Sequence, residues 1–387
     1  MTISAIRGSA RRRLSKVGLG FIGAIAASLV VVGCSGATDD SATAAGTDPA
    51  GSAWLADAES VAQAATTVPT VMRAAQLGPV TPPAKHTIFF VGCDQSIPGC
   101  VAQVTGVQEA AAALGYTVKI CDAKADVASF QNCMSQAVNA KPDVIVNNAR
   151  PAADAAEAYA DAHAAGIPVI GQFTSELPDP AKGNTVEVGN VCRQEGEMLG
   201  NFIVAESGGK ADVAVFADTV YGCNGQRAEG IQSALDKCDT CKSTIKRFSA
   251  ATAQTDLPPA LQATIQSNPK LNWIVGTPGF SGLMASDAVR QAGRADSISV
   301  GTFDGDEPSL ALVRKGDIIK ADVASGVYEN GWTVVDAAAR LAAGQSIPDG
   351  ISNPTQLLMT EQSVPQSGTY EGATGFREQF KQLWGVA

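Results

Sequence analysis

The sequence predicts an α/β protein built from two doubly wound parallel-sheet lobes. Three observations carry that expectation. From residue 85 onward, short apolar runs alternate with helix-period segments, the pattern of βαβ units that form a parallel sheet with helices on both faces. The alternation starts afresh after Gly183. The strands are also too many for one ordinary sheet, whereas 387 residues suffice for two domains of usual size.

Taken in order, Thr-Ile-Phe-Phe-Val at 87–91 is the first expected strand, and 101–114 a helix that Gly115 closes. A strand at 117–121, a helix at 126–140, a strand at 144–146, an alanine-rich helix at 152–165 and Ile-Pro-Val-Ile at 167–170 follow. The second half runs strand 185–188, helix 195–206, strand 211–216, helix 225–237 and strand 244–248. It continues with helix 257–267, strand 273–276, helix 282–293 and strand 297–300. Before the first lobe, 53–72 has helical spacing and a proline-rich run at 78–83 leads into the first strand; the extension is expected to clip along a lobe surface. A terminal helix within 370–384 is expected to pack back onto a lobe.

Arg7, Arg11, Arg12, Arg13 and Lys16 precede an apolar run at 17–32 broken only by Ser28. That is the build of a secretory signal and short for a membrane span. Val31-Val32-Gly33-Cys34, which ends the run, resembles a bacterial lipobox. The resemblance implies cleavage before Cys34, a diacylglycerol on its sulfur, and a mature chain tethered outside the cytoplasm as an actinobacterial-type lipoprotein. The alternative is an ordinary signal peptide or an anchor helix. The polar, small-residue stretch 35–52 suits a tether. No later stretch is apolar for long enough to span a bilayer.

Removing the five basic residues of 1–33 from the total of 28 leaves 23 against 38 acidic ones, a net charge of −15. Such a surface argues against nucleic acid, which needs clustered Lys and Arg. His86 and His163 are the only histidines and neither has a second at ligand spacing, so no metal, cofactor or histidine-based catalysis is expected. Beyond Cys34 there are eight cysteines, Cys93, Cys100, Cys121, Cys133, Cys192, Cys223, Cys238 and Cys241, which make sense as bridges outside the cytoplasm. Eight cysteines allow 105 pairings. Proximity favours Cys93–Cys100, Cys121–Cys133 and Cys238–Cys241, leaving Cys192 with Cys223. The Cys-Asp-Thr-Cys run follows a helix instead of opening one, so a structural clasp is expected there and not a redox dithiol.

Several segments in shared order resemble the sugar-binding type I periplasmic binding proteins, the ribose-binding group. They are Pro98 with Leu114-Gly115-Tyr116, the run 141–148, Ala164-Ala165-Gly166-Ile167-Pro168-Val169-Ile170, Arg227-Ala228-Glu229-Gly230-Ile231, Val300 to Gly305 and Gly316 to Asp322. The resemblance implies a hinge of three crossings, near Asn184, near Ala324 and at 354–360, with ligand between the lobes. It implies the layout 1–33 signal peptide, 34–84 tether and extension, 85–184 and 325–353 first lobe, 185–324 second lobe, and 354–387 returning tail. It also implies the function: a monomeric, lipid-anchored receptor that captures a carbohydrate or polyol and delivers it to the permease of an ABC importer, with no bond made. A receptor feeding a sensor kinase, or a binder of an amino acid, nucleoside or sugar acid, remains the alternative. An enzyme on this scaffold lacks support, since no nucleophile–histidine pair, metal cluster or phosphate loop emerges.

Position by position, the resemblance makes Arg227 a donor to ligand hydroxyls, Asp304 an acceptor of two adjacent hydroxyls, and Asn224 and Ser325 neighbours of the same cleft. The departures are as informative. Gly99 and Cys100 stand where aromatic residues stack on sugar in the family, Phe173-Thr174 replace an Asp-Arg pair, and Pro278-Gly279 replace Asn-Asp. Asp94 and Gln95 are expected to replace the lost polar groups, and Arg150 to face the cleft. With Arg227, Arg150 would favour an acidic ligand such as a sugar acid. Phe173, Tyr221 and Phe280 are the available aromatic walls.

Overall fold

The computed structural model describes residues 49–189, 191–348 and 356–386. The expected signal sequence, Cys34, the first part of the spacer and the start of the expected third crossing lie outside the described residues. A helix α1 (Pro49–Ala64) comes first, and a 3-10 turn at Arg73–Leu77 follows. The first lobe contains β1 (Thr87–Gly92), α2 (Pro98–Leu114), β2 (Thr117–Asp122), α3 (Val127–Ala140), β3 (Val144–Asn148), α4 (Ala156–Ala164), β4 (Val169–Gln172) and β5 (Val186–Val188). The second contains α5 (Cys192–Glu206), β6 (Asp212–Asp218), α6 (Gly222–Leu235), β7 (Lys242–Phe248), α7 (Ala253–Ser267), β8 (Trp273–Thr277), α8 (Gly279–Gln291), β9 (Ser299–Phe303), α9 (Glu307–Arg314) and β10 (Ile319–Ser325). The chain ends with α10 (Val327–Ala342), β11 (Gln356–Met359) and α11 (Phe376–Trp384).

The first sheet has the order β2-β1-β3-β4-β5 and is parallel throughout. The second has the order β11-β10-β9-β8-β6-β7, parallel except for the antiparallel β10–β11 pair. In each, the first strand of the lobe is flanked by the second and third, so strand order reverses there and leaves a crevice outside the carboxyl ends. Alternation explains the layers. Ile88 and Phe90 join one core with Val104, Val107 and Trp332, whereas Phe89 and Val91 join another with Phe130, Met134 and Tyr159. A strand buried on both faces reads as a continuous apolar run.

Two expectations need correcting. The strand expected to open the second lobe at 185–188 pairs with β4 as β5, so the first crossing follows Val188, not Asn184. The second crossing falls at Ser325–Gly326, where β10 ends and α10 leaves to pack on α2. A third lies between α10 and β11. A further passage then carries the chain from β11 back to α11, whose Phe376, Phe380 and Trp384 pack on Trp332 of α10. The expected clip along one lobe is a strap over both. Ala58 and Ala62 of α1 are buried with Leu199 and Ile203 of α5, and Ala65 O accepts from Leu358 N of β11 (2.9 Å). Met72 and Val80 enter the first-lobe core, and the buried Arg340 of α10 donates to Gly78 O (2.7 Å).

Among the described residues the disulfides are the three that proximity favours, Cys93–Cys100, Cys121–Cys133 and Cys238–Cys241, and the remaining pair Cys192–Cys223. Among the described residues no helix is long and apolar enough to cross a membrane.

Candidate functional site

A cavity of about 70 Å³ lies between the lobes at the carboxyl ends of the strands. The second lobe lines it with Tyr221, Cys223, Asn224 and Arg227 of the β6–α6 segment, Pro278 after β8, Asp304 after β9 and Ser325 at the end of β10. The first lobe contributes Cys93, Ile97, Gly99 and Cys100 after β1, Gln103 of α2, Ala149 after β3, Phe173 after β4, and Val327 at the start of α10. Three of these residues hold left-handed backbone without being glycine: Ala149 (φ 66°), Phe173 (φ 59°) and Asp304 (φ 86°). Strained conformations of this kind persist only where the surroundings enforce them, and they cluster at functional sites.

Arg227 is the centre of the polar half. Its side chain is buried; Nε donates to Glu195 Oε2 (2.7 Å), and Nη1 donates to Asp304 Oδ1 (2.8 Å) and Asn224 Oδ1 (3.2 Å). The guanidinium carbon lies 4.5 Å from the centre of the Phe303 ring. Burial alone would lower the Arg227 pKa, but the Glu195 and Asp304 carboxylates reverse that and raise it, so the group stays charged. Its Nη2 hydrogens have no partner among the described residues. Helix packing sets this geometry. A Cβ on Gly196 of α5 would lie 2.0 Å from Arg227 O, and one on Gly230 of α6 2.0 Å from Arg193 O. Only glycines let α5 and α6 approach closely enough for Glu195 to reach Arg227.

The other polar groups are fixed from behind. Asp218 accepts from Tyr221 N (3.0 Å) and Asn224 Nδ2 (3.1 Å), which ties down the first turn of α6. Gly279 N donates to Asp304 Oδ2 (2.9 Å), and Gly305 N to the buried Asp322 Oδ1 (2.9 Å). Burial, with Asp306 and Asp304 nearby, pushes Asp322 well above the usual carboxylate range. At the hinge, Ser325 Oγ donates to Glu195 Oε1 (2.6 Å). Across the cleft mouth, Gln226 Nε2 donates to Ser175 O (2.9 Å) and Arg150 Nη1 to Val220 O (3.4 Å). The lobes are therefore in contact over the cavity.

Of the residues expected in the cleft, Phe173, Tyr221, Asn224, Arg227, Asp304 and Ser325 line the cavity. Asp94, Gln95, Arg150 and Phe280 do not, and each has a physical reason. Asp94 Oδ1 accepts from Ser96 N (2.8 Å) and Ser96 Oγ (2.7 Å) within its own loop. Gln95 N donates to Asp122 Oδ1 (3.3 Å), which holds that residue over β2. Arg150 is paired with Asp154 one helical turn on. Phe280 stacks edge-on against Phe248 in the second-lobe core. The residues that sequence reasoning missed as liners, Ile97, Gln103, Ala149 and Val327 among them, are mostly apolar or small and give no chemical signal of their own. Cys192, Glu195 and Cys223 bring three potential metal-ligand atoms together, but the two sulfurs form a disulfide, and metal binding needs the thiolate.

A family model described as "Periplasmic binding protein domain" matches residues 88–346. Among solved structures, an ABC transporter solute-binding protein from Agrobacterium vitis with bound allitol is similar with a TM-score of 0.66 at 20% identity, over 73% of this chain and 97% of that one. A solute-binding protein from Mycobacterium smegmatis with bound glycerol gives 0.65 at 21% identity, over 74% and 99%. The fructose-binding periplasmic domain of a hybrid two-component system gives 0.64 at 19% identity, over 72% and 92%.

Proposed function

The chain belongs to the periplasmic binding protein family, and from that premise we propose that it is an extracytoplasmic receptor that captures a small polyhydroxylated solute between its lobes for an ABC importer. One observation carries the reading: the charged Arg227, whose Nη2 has no partner among the described residues, and the carboxylate of Asp304 line one cavity that both lobes enclose. A fork of donors beside a carboxylate suits adjacent hydroxyls, which each donate and accept. The allitol and glycerol held by two structural relatives support a polyol.

Ligand bridging the lobes favours the closed state by its extra contacts there, and the Gln226–Ser175 and Arg150–Val220 bonds form only when the lobes meet. The closed face is then what a permease distinguishes. A lipid on Cys34 would keep the receptor beside that permease, as a monomer with no chemistry of its own. The fructose-binding relative from a two-component system favours a second reading, in which the closed form signals to a sensor kinase.

A thermal-shift screen against sugars, polyols, sugar acids, nucleosides and amino acids tests the substrate class. A true ligand at a hundredfold excess over its Kd adds about 2.7 kcal/mol. Polyols or sugars should raise the melting midpoint; an amino acid that does so while every carbohydrate and polyol fails would overturn the reading.

A further inference from the structure

The cleft buries a polar group that the protein itself leaves unsatisfied. Tyr221 lines the cavity and is 7% exposed, and its hydroxyl oxygen is buried without a hydrogen-bond partner. Among the described residues it is the only buried, unpartnered side-chain polar atom that belongs to a cavity liner. The ring shares a buried cluster with Cys93, Cys100 and Ala149 of the first lobe, so closure of the lobes is what strips the hydroxyl of water. A hydroxyl buried in this way destabilises the closed state unless something pairs with it.

Gln103, a liner from the first lobe, brings a second unused donor, and a row of hydrogen bonds fixes the orientation of its amide. Cys93 N donates to Asn148 Oδ1 (3.1 Å), so Asn148 Nδ2 is the donor to Gln103 Oε1 (2.6 Å) and to Gln172 Oε1 (3.1 Å). Gln172 Nε2 then donates to Asn330 Oδ1 (2.6 Å), and Asn330 Nδ2 to Val188 O (3.2 Å). A backbone N–H only donates and a carbonyl only accepts, so the two ends of the row fix every amide between them. Gln103 Oε1 is therefore engaged, and Nε2 is left as a donor with no partner among the described residues.

We infer that Gln103, through Nε2, and Tyr221, through its hydroxyl, are ligand contacts that set specificity. The solute then carries at least one oxygen beyond the pair of hydroxyls held by Arg227 and Asp304. The inference rests on the reading of the cleft as a polyol site and extends it. Asn224, Arg227 and Asp304 all belong to the second lobe and can hold solute with the lobes apart. Gln103 and Tyr221 come from opposite lobes and line one cavity only when the lobes meet. Contacts made only in the closed form are what allow a solute to shift the lobes toward closure. A diol that satisfies Arg227 and Asp304 alone would leave the Tyr221 hydroxyl buried and unpaired, and closure around it would be disfavoured.

Titration calorimetry of the detergent-solubilised full chain with glycerol, erythritol, ribitol, allitol and D-fructose identifies the tightest probe. If none of the five binds, the sugar or polyol most active in the thermal screen takes its place. That probe is then titrated into Tyr221→Phe, Gln103→Met and Asp304→Asn. Tyr221→Phe and Gln103→Met should each weaken binding by about tenfold. The ligand-free melting midpoint of Tyr221→Phe should match or exceed that of the natural chain, because the hydroxyl has no protein partner to lose. A midpoint that falls together with the affinity would make the tyrosine hydroxyl structural and overturn its role as a contact. Natural Kd values in both variants, with binding still weakened in Asp304→Asn, overturn the two contacts and leave the polyol reading standing. A loss in only one variant overturns the joint grip. No binding by any sugar or polyol overturns both the contacts and the polyol reading. Gln103→Met leaves Asn148 Nδ2 its bond to Gln172. Should it still lower the midpoint, Gln103→Glu keeps an oxygen for Asn148, removes the donor and is read in the same way.

Discussion

Arg227 serves two purposes, and the two can be separated. It neutralises Glu195, which is fully buried, and it lines the cavity beside Asp304. Arg227→Ala would strand Glu195 as a buried carboxylate without its cation, at a cost of about 3–5 kcal/mol. Asp304 is about a quarter exposed, with the side chain at 24%, and Asp304→Asn keeps its shape, so that change should cost less than about 1 kcal/mol. Urea denaturation of both variants checks the contrast; equal losses would mean that Glu195 does not depend on Arg227. At this scale the site was partly legible. Arg227 and Asp304 sit beside glycines in motifs that a sequence shows. Arg150 faces the cleft as expected, but it pairs with Asp154 four residues on and reaches Val220 O across the mouth, so it braces the lobes instead of lining the cavity. Phe280 was misplaced because the direction of a ring on α8 depends on Phe248, a strand away.

The α5–α6 pair shows how elements set the site. Gly196→Ala would put a methyl group 2.0 Å from the Arg227 carbonyl oxygen, where only helix displacement can relieve it. Overpacking of that kind costs about 1–3 kcal/mol. It should also weaken ligand binding, since Arg227 moves with α6; a variant that loses stability yet keeps the wild-type Kd would show that the spacing of the helices does not position the guanidinium. Most strands and helices were readable from apolar period and glycine stops, within a few residues at each end. The sheet to which β5 belongs was not, because a strand of three residues carries no local mark of its partner, and its pairing with β4 depends on a segment that lies 14 to 18 positions earlier in the chain. Likewise β11 and α11 depend on distant partners, β10 and Trp332, which no local pattern records.

Over the whole molecule, buried acids near the lobe junctions make stability pH-dependent. Burial pushes Glu187 up to about 7 despite its hydrogen bonds from Thr174 and Ser175. It pushes Glu329 up to about 7 as well, opposed by the Ala373 N–H and Arg73. Both stand near 4.5 when unfolded, so the folded form holds these protons more tightly. Their favourable contribution is complete below pH 4.5 and is lost as pH rises through 7. Each group accounts for about 3 kcal/mol over that window. The melting midpoint should therefore be higher at pH 5 than at pH 8, and Glu329→Gln should shrink the difference; a midpoint that rises with pH would contradict both assignments. Titration calorimetry of the full chain and of Asp304→Asn with the polyol that shifts the melt most tests the central claim most directly. Saturable one-to-one binding in the natural chain, weakened at least about tenfold in the variant, is the predicted result. The same Kd in both, or no saturable binding by any polyhydroxylated solute, would contradict it.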